Sequence, residues 1–148
     1  MVRHPERVNF SYRDNLWRGS DLLATGIASF GHISGVHYQN LAEWDQYCGE
    51  LEAGRLPLGR ALRITREQAL IREMILQLKR GYLDPAYFER KFGVNIVDRW
   101  RSTWDECAKE GYVLVDEEKI RLTRAGLLRV DGLLPAFFEP QFREVRYT

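Results

Sequence analysis

Thiols, imidazoles and a small-residue turn are the groups in this sequence that could do chemistry. Its two cysteines, Cys48 and Cys107, stand far apart, each within a helix-like pattern. That placement fits buried thiols in a reducing compartment better than a disulfide. A structural zinc site needs four Cys or His ligands at close spacing, and His4, His32 and His37 do not supply that pattern around either cysteine. No metal site within the chain is expected. His32 and His37 could meet an anionic ligand or a metal, but isolated loop histidines are more often hydrogen-bonding surface residues. Trp44, Trp100 and Trp104 could stack on a flat ring, although their helical spacing favours core packing. Trp17 lies in an irregular stretch and is expected to face a partner domain. Asp21 to Ala24, followed by Gly26 and Gly31, reads as a buried strand entering a glycine-bearing turn, a place where backbone can approach a ligand closely.

The first forty residues otherwise lack helical periodicity and read as loops and short strands. Leu41, Trp44, Tyr47, Cys48 and Leu51 then share one helical face, with Asn40 able to cap the start and Gly54 to end it. RLPLGRAL, with Pro57 and Gly59, reads as a linker between structural units. Thr65 and Gln68 form a capping box ahead of the apolar stripe Leu70, Ile71, Met74, Ile75 and Leu78, which Gly81 stops. Asp84 caps a short helix with Pro85 at its first position, Tyr87 and Phe88 inward, and Gly93 at its end. Asn95 opens a longer helix through Ile96, Val97, Trp100, Trp104, Cys107 and Ala108 up to Gly111. YVLV and KIRL around an acidic turn predict a hairpin, which must pack on the helices to persist. Thr123 caps a last helix with Leu127, Leu128, Val130, Leu133 and Leu134 as its apolar positions, closed by Pro135.

The predicted fold class is α+β, mostly α: a loop-rich N-terminal segment, then a winged-helix-like domain of three helices, a β-hairpin and a closing helix. The expected boundaries are 1–60, 61–136 and an extended tail over 137–148. That tail is expected to run over another surface, with its aromatics, Arg143 and Arg146 suited to an interface.

The chain has 148 residues and a net charge of +1, with 45% hydrophobic and 29% charged residues, so it can build a core and has no overall attraction for nucleic acid or anionic membranes. No apolar run approaches the length needed to span a bilayer, and Met1 to Phe10 has no apolar secretion region. A cytoplasmic location is expected. The winged-helix order raises DNA binding as the alternative function, or a protein-interaction module without a catalytic role. Asn95 to Glu110 carries Arg99, Arg101 and Lys109 against Asp98, Asp105, Glu106 and Glu110, and the hairpin Asp116 to Arg121 is likewise net negative. Neither element could drive much counterion release.

Two stretches carry a family resemblance. DLLATGIASFGHISGVHYQN, Asp21 to Asn40, is similar to a D-L-x-G-x-G-x-x-A/S segment followed closely by Y-x-Q-N. From Ile64 to Leu134 come a T-x-E helix, a G-x-L-D step at Gly81 to Asp84, a K-F-G at Lys91 to Gly93, an E-G-Y before a hairpin, and an L-T-x-x-G helix at Leu122 to Gly126. Over most of its length the chain thus resembles the C-terminal part of the oxygen-independent coproporphyrinogen III oxidase-like radical S-adenosylmethionine (SAM) family. The resemblance implies a parent protein that uses SAM and a 4Fe-4S cluster to decarboxylate porphyrinogen propionates oxidatively through a 5′-deoxyadenosyl radical, in haem biosynthesis. The partners it implies are the N-terminal radical SAM barrel domain of that parent and a tetrapyrrole substrate. It further implies that Gly26, Ile27, Ala28, Ser29 and Phe30 form a cofactor-binding loop that closes the barrel end, with Gln39 and Asn40 binding substrate. No residue of this chain is assigned a catalytic role. The family's C-x-x-x-C-x-x-C triplet is absent, so the chain reads as a C-terminal piece of a longer protein, unable to start the reaction alone. Ala24 stands where the family usually has glycine, and Asp14 in DNLW replaces the histidine of the H-N-x-x-Y-W haem motif of related haem chaperones.

Overall fold

The structure is a computed structural model that describes residues 10–116 and 118–143. The described residues divide into two compact units, with the boundary between Thr65 and Arg66.

The first unit opens with a helix, α1 (Ser11–Trp17), where loops and strands are expected. Its Arg13 guanidinium lies 5.3 Å from the Phe10 ring and 5.1 Å from the Trp17 ring and pairs with Asp14 at 3.1 Å. Such local stacking replaces the periodicity that the segment lacks, and it places Trp17 on a helix. The buried strand expected over Asp21 to Ala24 shrinks to one bridge, Leu22 to His32, and Leu23 is exposed. A hairpin follows, β1 (Phe30–Ile33) and β2 (Val36–Asn40), joined by Ser34 and Gly35 at φ 49° and 76°. Positive φ at both central residues is the geometry that matches strand twist. Asp21 Oδ1 accepts from Ser34 N–H at 2.9 Å and steadies the turn.

RLPLGRAL is not a linker. Its second half is β3 (Leu58–Arg63), which pairs antiparallel with β2 to give a sheet of order β1-β2-β3. The register shifts between Gln39 and Asn40, leaving Gly59 opposite, where a Cβ would sit 3.3 Å from Leu41 N. Glycine therefore lets the two backbones close at this bulge. Asn40 belongs to β2 and does not cap the next helix, α2 (Trp44–Glu52), which begins after Glu43 and has no side-chain cap. The apolar face expected of α2 is not buried either: Trp44 is 65% and Leu51 48% exposed. Gly54, at φ 70°, does end it.

The second unit carries the core. Its α3 (Arg66–Leu78) buries Leu70, Ile71, Met74 and Leu78, as the stripe predicts. Gln68, the expected capping-box partner of Thr65, donates from Nε2 to Glu139 Oε2 at 3.0 Å. Two polar residues share the buried face: Gln77, and Glu73, which accepts from Tyr87 Oη at 2.6 Å and from Lys91 Nζ at 2.7 Å. After β4 (Tyr82–Leu83), α4 (Pro85–Phe92) begins with Asp84 Oδ1 accepting from Tyr87 N–H and ends at a left-handed Gly93.

The single long helix expected after Asn95 is two, α5 (Ile96–Arg99) and α6 (Arg101–Lys109). The cause is tertiary. Ile96 O, whose helical partner would be Trp100 N–H, accepts instead from Trp104 Nε1 at 2.9 Å, and Trp100 N–H turns to Asp98 O. The hairpin forms as β5 (Val113–Val115) and β6 (Ile120–Leu122) and gains β4 as a third strand, in order β4-β6-β5. Leu83, Val113 and Ile120 pack it onto the helices.

The closing helix is also broken, into α7 (Arg124–Leu128) and α8 (Val130–Leu133). Leu127 and Leu128 are 47% and 79% exposed rather than buried. Gly126 faces inward in their place, because a Cβ there would lie 2.0 Å from Tyr112 O. Pro135 does not end the chain's regular structure: it sits in a 3-10 turn, Leu134–Phe137, followed by another, Pro140–Phe142. The expected extended tail therefore folds back in its described part. Phe137 is buried, with its ring centroid 4.4 Å from that of Trp104 and 6.1 Å from that of Trp100. Arg146 lies outside the described residues. The fold is α+β and mostly α, as the sequence predicts.

Candidate functional site

The segment from Gly26 to Phe30 leads into β1, which begins at Phe30, and its backbone accounts for the small residues Gly26 and Ala28. Gly26 has φ 95° and Ala28 has φ 54°, a left-handed conformation in which a larger side chain is strained. Each turn of the loop is tied to the unit around it. Gly26 N–H donates to Tyr47 Oη at 3.0 Å, and Ala28 N–H to Leu41 O at 2.9 Å. Ser29 Oγ donates to Thr25 O at 2.8 Å, while Ser29 O accepts from Asn40 N–H at 2.9 Å. Ahead of the loop, Ala24 N–H donates to Tyr38 Oη at 2.8 Å. Tyr38 can reach it because its ring lies over Gly31, where a Cβ would fall 2.2 Å from Cζ.

Gln39 and Asn40 meet this loop with their side chains. Gln39 Nε2 donates to Ala28 O at 3.0 Å; Asn40 Nδ2 donates to Gly26 O at 2.9 Å and Ala24 O at 3.4 Å. Asn40 is 5% exposed. The structure thus brings all seven residues singled out by the resemblance into one hydrogen-bonded cluster. Around it stand exposed apolar side chains, Phe30 at 63% and Ile27 at 41%.

Sequence reasoning misses Arg60. Strand pairing sets Phe30 opposite Gln39 and Gln39 opposite Arg60, so the three stand side by side across the sheet. Arg60 Nε donates to Gln39 Oε1 at 2.7 Å, and its guanidinium carbon lies 5.9 Å from the Phe30 ring centroid. The run Leu58 to Arg63 has no apolar/polar alternation, since Leu58, Arg60 and Leu62 share one face, so periodicity carries no signal for the strand.

The remaining candidates scatter. His32 is buried, not a surface residue, with its ring centroid 4.4 Å from that of His37. Trp104 is buried and Trp100 partly so, as core packing predicts, whereas Trp44 is exposed. Cys48 is half-buried and Cys107 buried; both are free thiols. Burial, with Glu106 nearby, pushes the Cys107 thiol above its ordinary range. His4 lies outside the described residues, among which no three Cys, His, Asp or Glu side chains gather as metal ligands. A 4Fe-4S cluster does not fit this chain's donors, since it needs three thiolates and the sequence has two cysteines, one in each unit. On α5 and α6, Arg99 pairs with Glu67 at 2.6 Å and Arg101 pairs with Asp98, so these cations are engaged within the unit. No helix of the described residues is long and apolar enough to cross a membrane.

No family model matches the chain. Among curated proteins it is 28% identical to the oxygen-independent coproporphyrinogen III oxidase of Escherichia coli over 80% of its length and 27% of that protein's. The same enzyme from Pseudomonas aeruginosa is 23% identical over 86% of this chain and 29% of its own, and that from Helicobacter pylori 24% over 78% and 26%. Among solved structures, the Escherichia coli coproporphyrinogen III oxidase, described as a radical SAM enzyme, superposes with a TM-score of 0.69 at 26% identity, over 80% of this chain and 28% of that one. The chain spans little more than a quarter of the curated relatives it matches. In sequence and in fold it is similar to the oxygen-independent coproporphyrinogen III oxidases, as the counterpart of their C-terminal part.

Proposed function

We propose that this chain is the C-terminal portion of a cytoplasmic radical SAM oxidoreductase that decarboxylates porphyrinogen propionates in haem biosynthesis or does related chemistry on a tetrapyrrole. It covers the active site there and helps to bind SAM or substrate. The observation that carries the reading is the Gly26 to Phe30 loop, held in left-handed turns by Gln39 and Asn40 inside the stretch that carries the family motif. Small residues let a ligand approach its backbone, and exposed Ile27 and Phe30 offer an apolar flank that excludes water from a reactive intermediate. SAM fits this loop as a ligand with an apolar flank to lie on; when bound, it would supply the 5′-deoxyadenosyl group. The cluster belongs to the N-terminal barrel of the parent, and this chain contributes no thiolate to it. Gln39 and Asn40 serve the substrate side by fixing the loop, because their amide nitrogens donate to its carbonyls. On this reading the described residues up to Thr65 are the end of the barrel and those from Arg66 a winged-helix-like domain with its tail, the boundary lying after β3 rather than at the expected residue 60.

The test is reconstitution. Mix this chain anaerobically with an Escherichia coli oxidase truncated of its matching region but carrying its cluster, and follow SAM cleavage and carbon dioxide release from coproporphyrinogen III. Restored turnover is expected. If the truncated enzyme stays inactive both in the mixture and in a covalent chimera bearing this chain, the reading fails.

A further inference from the structure

Arg60 stands at the site outside the motif stretch, and it carries the donors that a carboxylate receptor needs. A guanidinium carries five N–H donors in a rigid planar fork. Here Nε is committed to Gln39 Oε1 at 2.7 Å, and Gln39 is itself clamped by Ala28 O at 3.0 Å. That hydrogen bond restrains the exposed guanidinium before any ligand arrives, which lessens the entropy it would lose on binding. Its outer nitrogens are not consumed: among the described residues Arg60 makes no ion pair, although Arg13, Arg55, Arg99 and Arg101 each have a carboxylate. Beside it stands the exposed Phe30 ring, 5.9 Å from the guanidinium carbon. A restrained cationic fork next to an open aromatic face matches a ligand that carries a carboxylate on an apolar body.

We infer that Arg60 binds a ligand carboxylate while Phe30 supports the ligand's apolar part, Gln39 acting as the positioning residue between them. The inference rests on the proposed function, which offers two sources of that carboxylate: a propionate of the tetrapyrrole, or the aminoacyl carboxylate of SAM. Arg60 discriminates ligands by charge; the loop discriminates by shape.

The experiment uses the whole chain and two matched pairs of probes, coproporphyrin III against its neutral tetraamide, and SAM against decarboxylated SAM. Affinities are compared for the unaltered protein, Arg60→Gln, Arg60→Lys and Phe30→Ala. A charge-assisted bidentate contact predicts that one pair favours the carboxylate form by about ten- to 100-fold. The pair that shows it identifies the source. Arg60→Gln should bring that ratio to near one, with Arg60→Lys in between, whereas Phe30→Ala should weaken both members of the pair and leave the ratio intact. An unchanged ratio in Arg60→Gln overturns the inference and leaves the functional reading standing. So does binding of the ring or of SAM to the unaltered protein with no preference in either pair. Absence of all binding to the unaltered protein overturns this inference, while the functional reading is decided by the reconstitution.

Discussion

Replacing Asn40 by alanine tests whether the loop is held as described. Asn40 is 5% exposed and donates to Gly26 O at 2.9 Å and, more weakly, to Ala24 O at 3.4 Å. The substitution deletes a good hydrogen bond, with a net value of about 1 kcal/mol, and leaves Gly26 O with less than its full set of partners, which can raise the cost to about 3 kcal/mol. Local opening of the loop should become easier by the same amount, so the Ala28 and Gly26 amides should exchange with solvent about five- to 150-fold faster. Both amides are suitable reporters, since they donate to Leu41 O at 2.9 Å and to Tyr47 Oη at 3.0 Å and neither is the altered residue. Asn40→Asp should do more harm, because a carboxylate would face two carbonyl oxygens. Exchange within twofold of the unaltered protein in both variants would refute the claim that Asn40 secures the loop.

Other consequences can be measured separately. Gly31→Ala puts a Cβ 2.2 Å from the Tyr38 ring, so it should cost about 1 to 3 kcal/mol and speed exchange of the Ala24 amide; unchanged exchange would contradict the packing. Glu73→Leu removes the buried acceptor of Tyr87 Oη and Lys91 Nζ; urea unfolding followed by tryptophan fluorescence should show a loss of about 3 kcal/mol, reduced by the partial exposure of Lys91. Gly126→Ala, with Tyr112 O 2.0 Å from the added carbon, should shift that same transition to lower urea. Cys107 should resist alkylation. Its raised pKa keeps it a thiol through mildly alkaline pH, so its labelling should rise only above the range of an ordinary cysteine, after Cys48 has reacted.

The parts of the fold legible in the sequence are those with local causes. Asp84, Asn95 and Thr123 cap helices with the side chains that the capping rules name, and Gly54, Gly81 and Gly93 all take the positive φ that ends a helix. What escaped has causes elsewhere in the chain. The break at Trp100 depends on an indole N–H four residues later taking the Ile96 carbonyl. Leu127 and Leu128 keep helical spacing, yet Gly126 decides which side of α7 packs, through its approach to Tyr112 O. Pro57 and Gly59 make β3 look like a linker, because the partner strand that gives it a register lies well upstream. At the site, the loop's glycine is visible by its type, but its meaning came from the family likeness. Arg60 was hidden along with the strand that presents it.

Ligand binding at the Gly26 to Phe30 loop and its sheet face, as proposed, should be visible residue by residue in solution. Amide and side-chain resonances of the isotope-labelled chain, titrated with SAM and then with coproporphyrin III, test it most directly. Shifts centred on Gly26 to Phe30, Gln39, Asn40 and the Arg60 guanidinium are expected. Saturation of both ligands with no change at these residues, or with changes confined to α5 and α6, would contradict it.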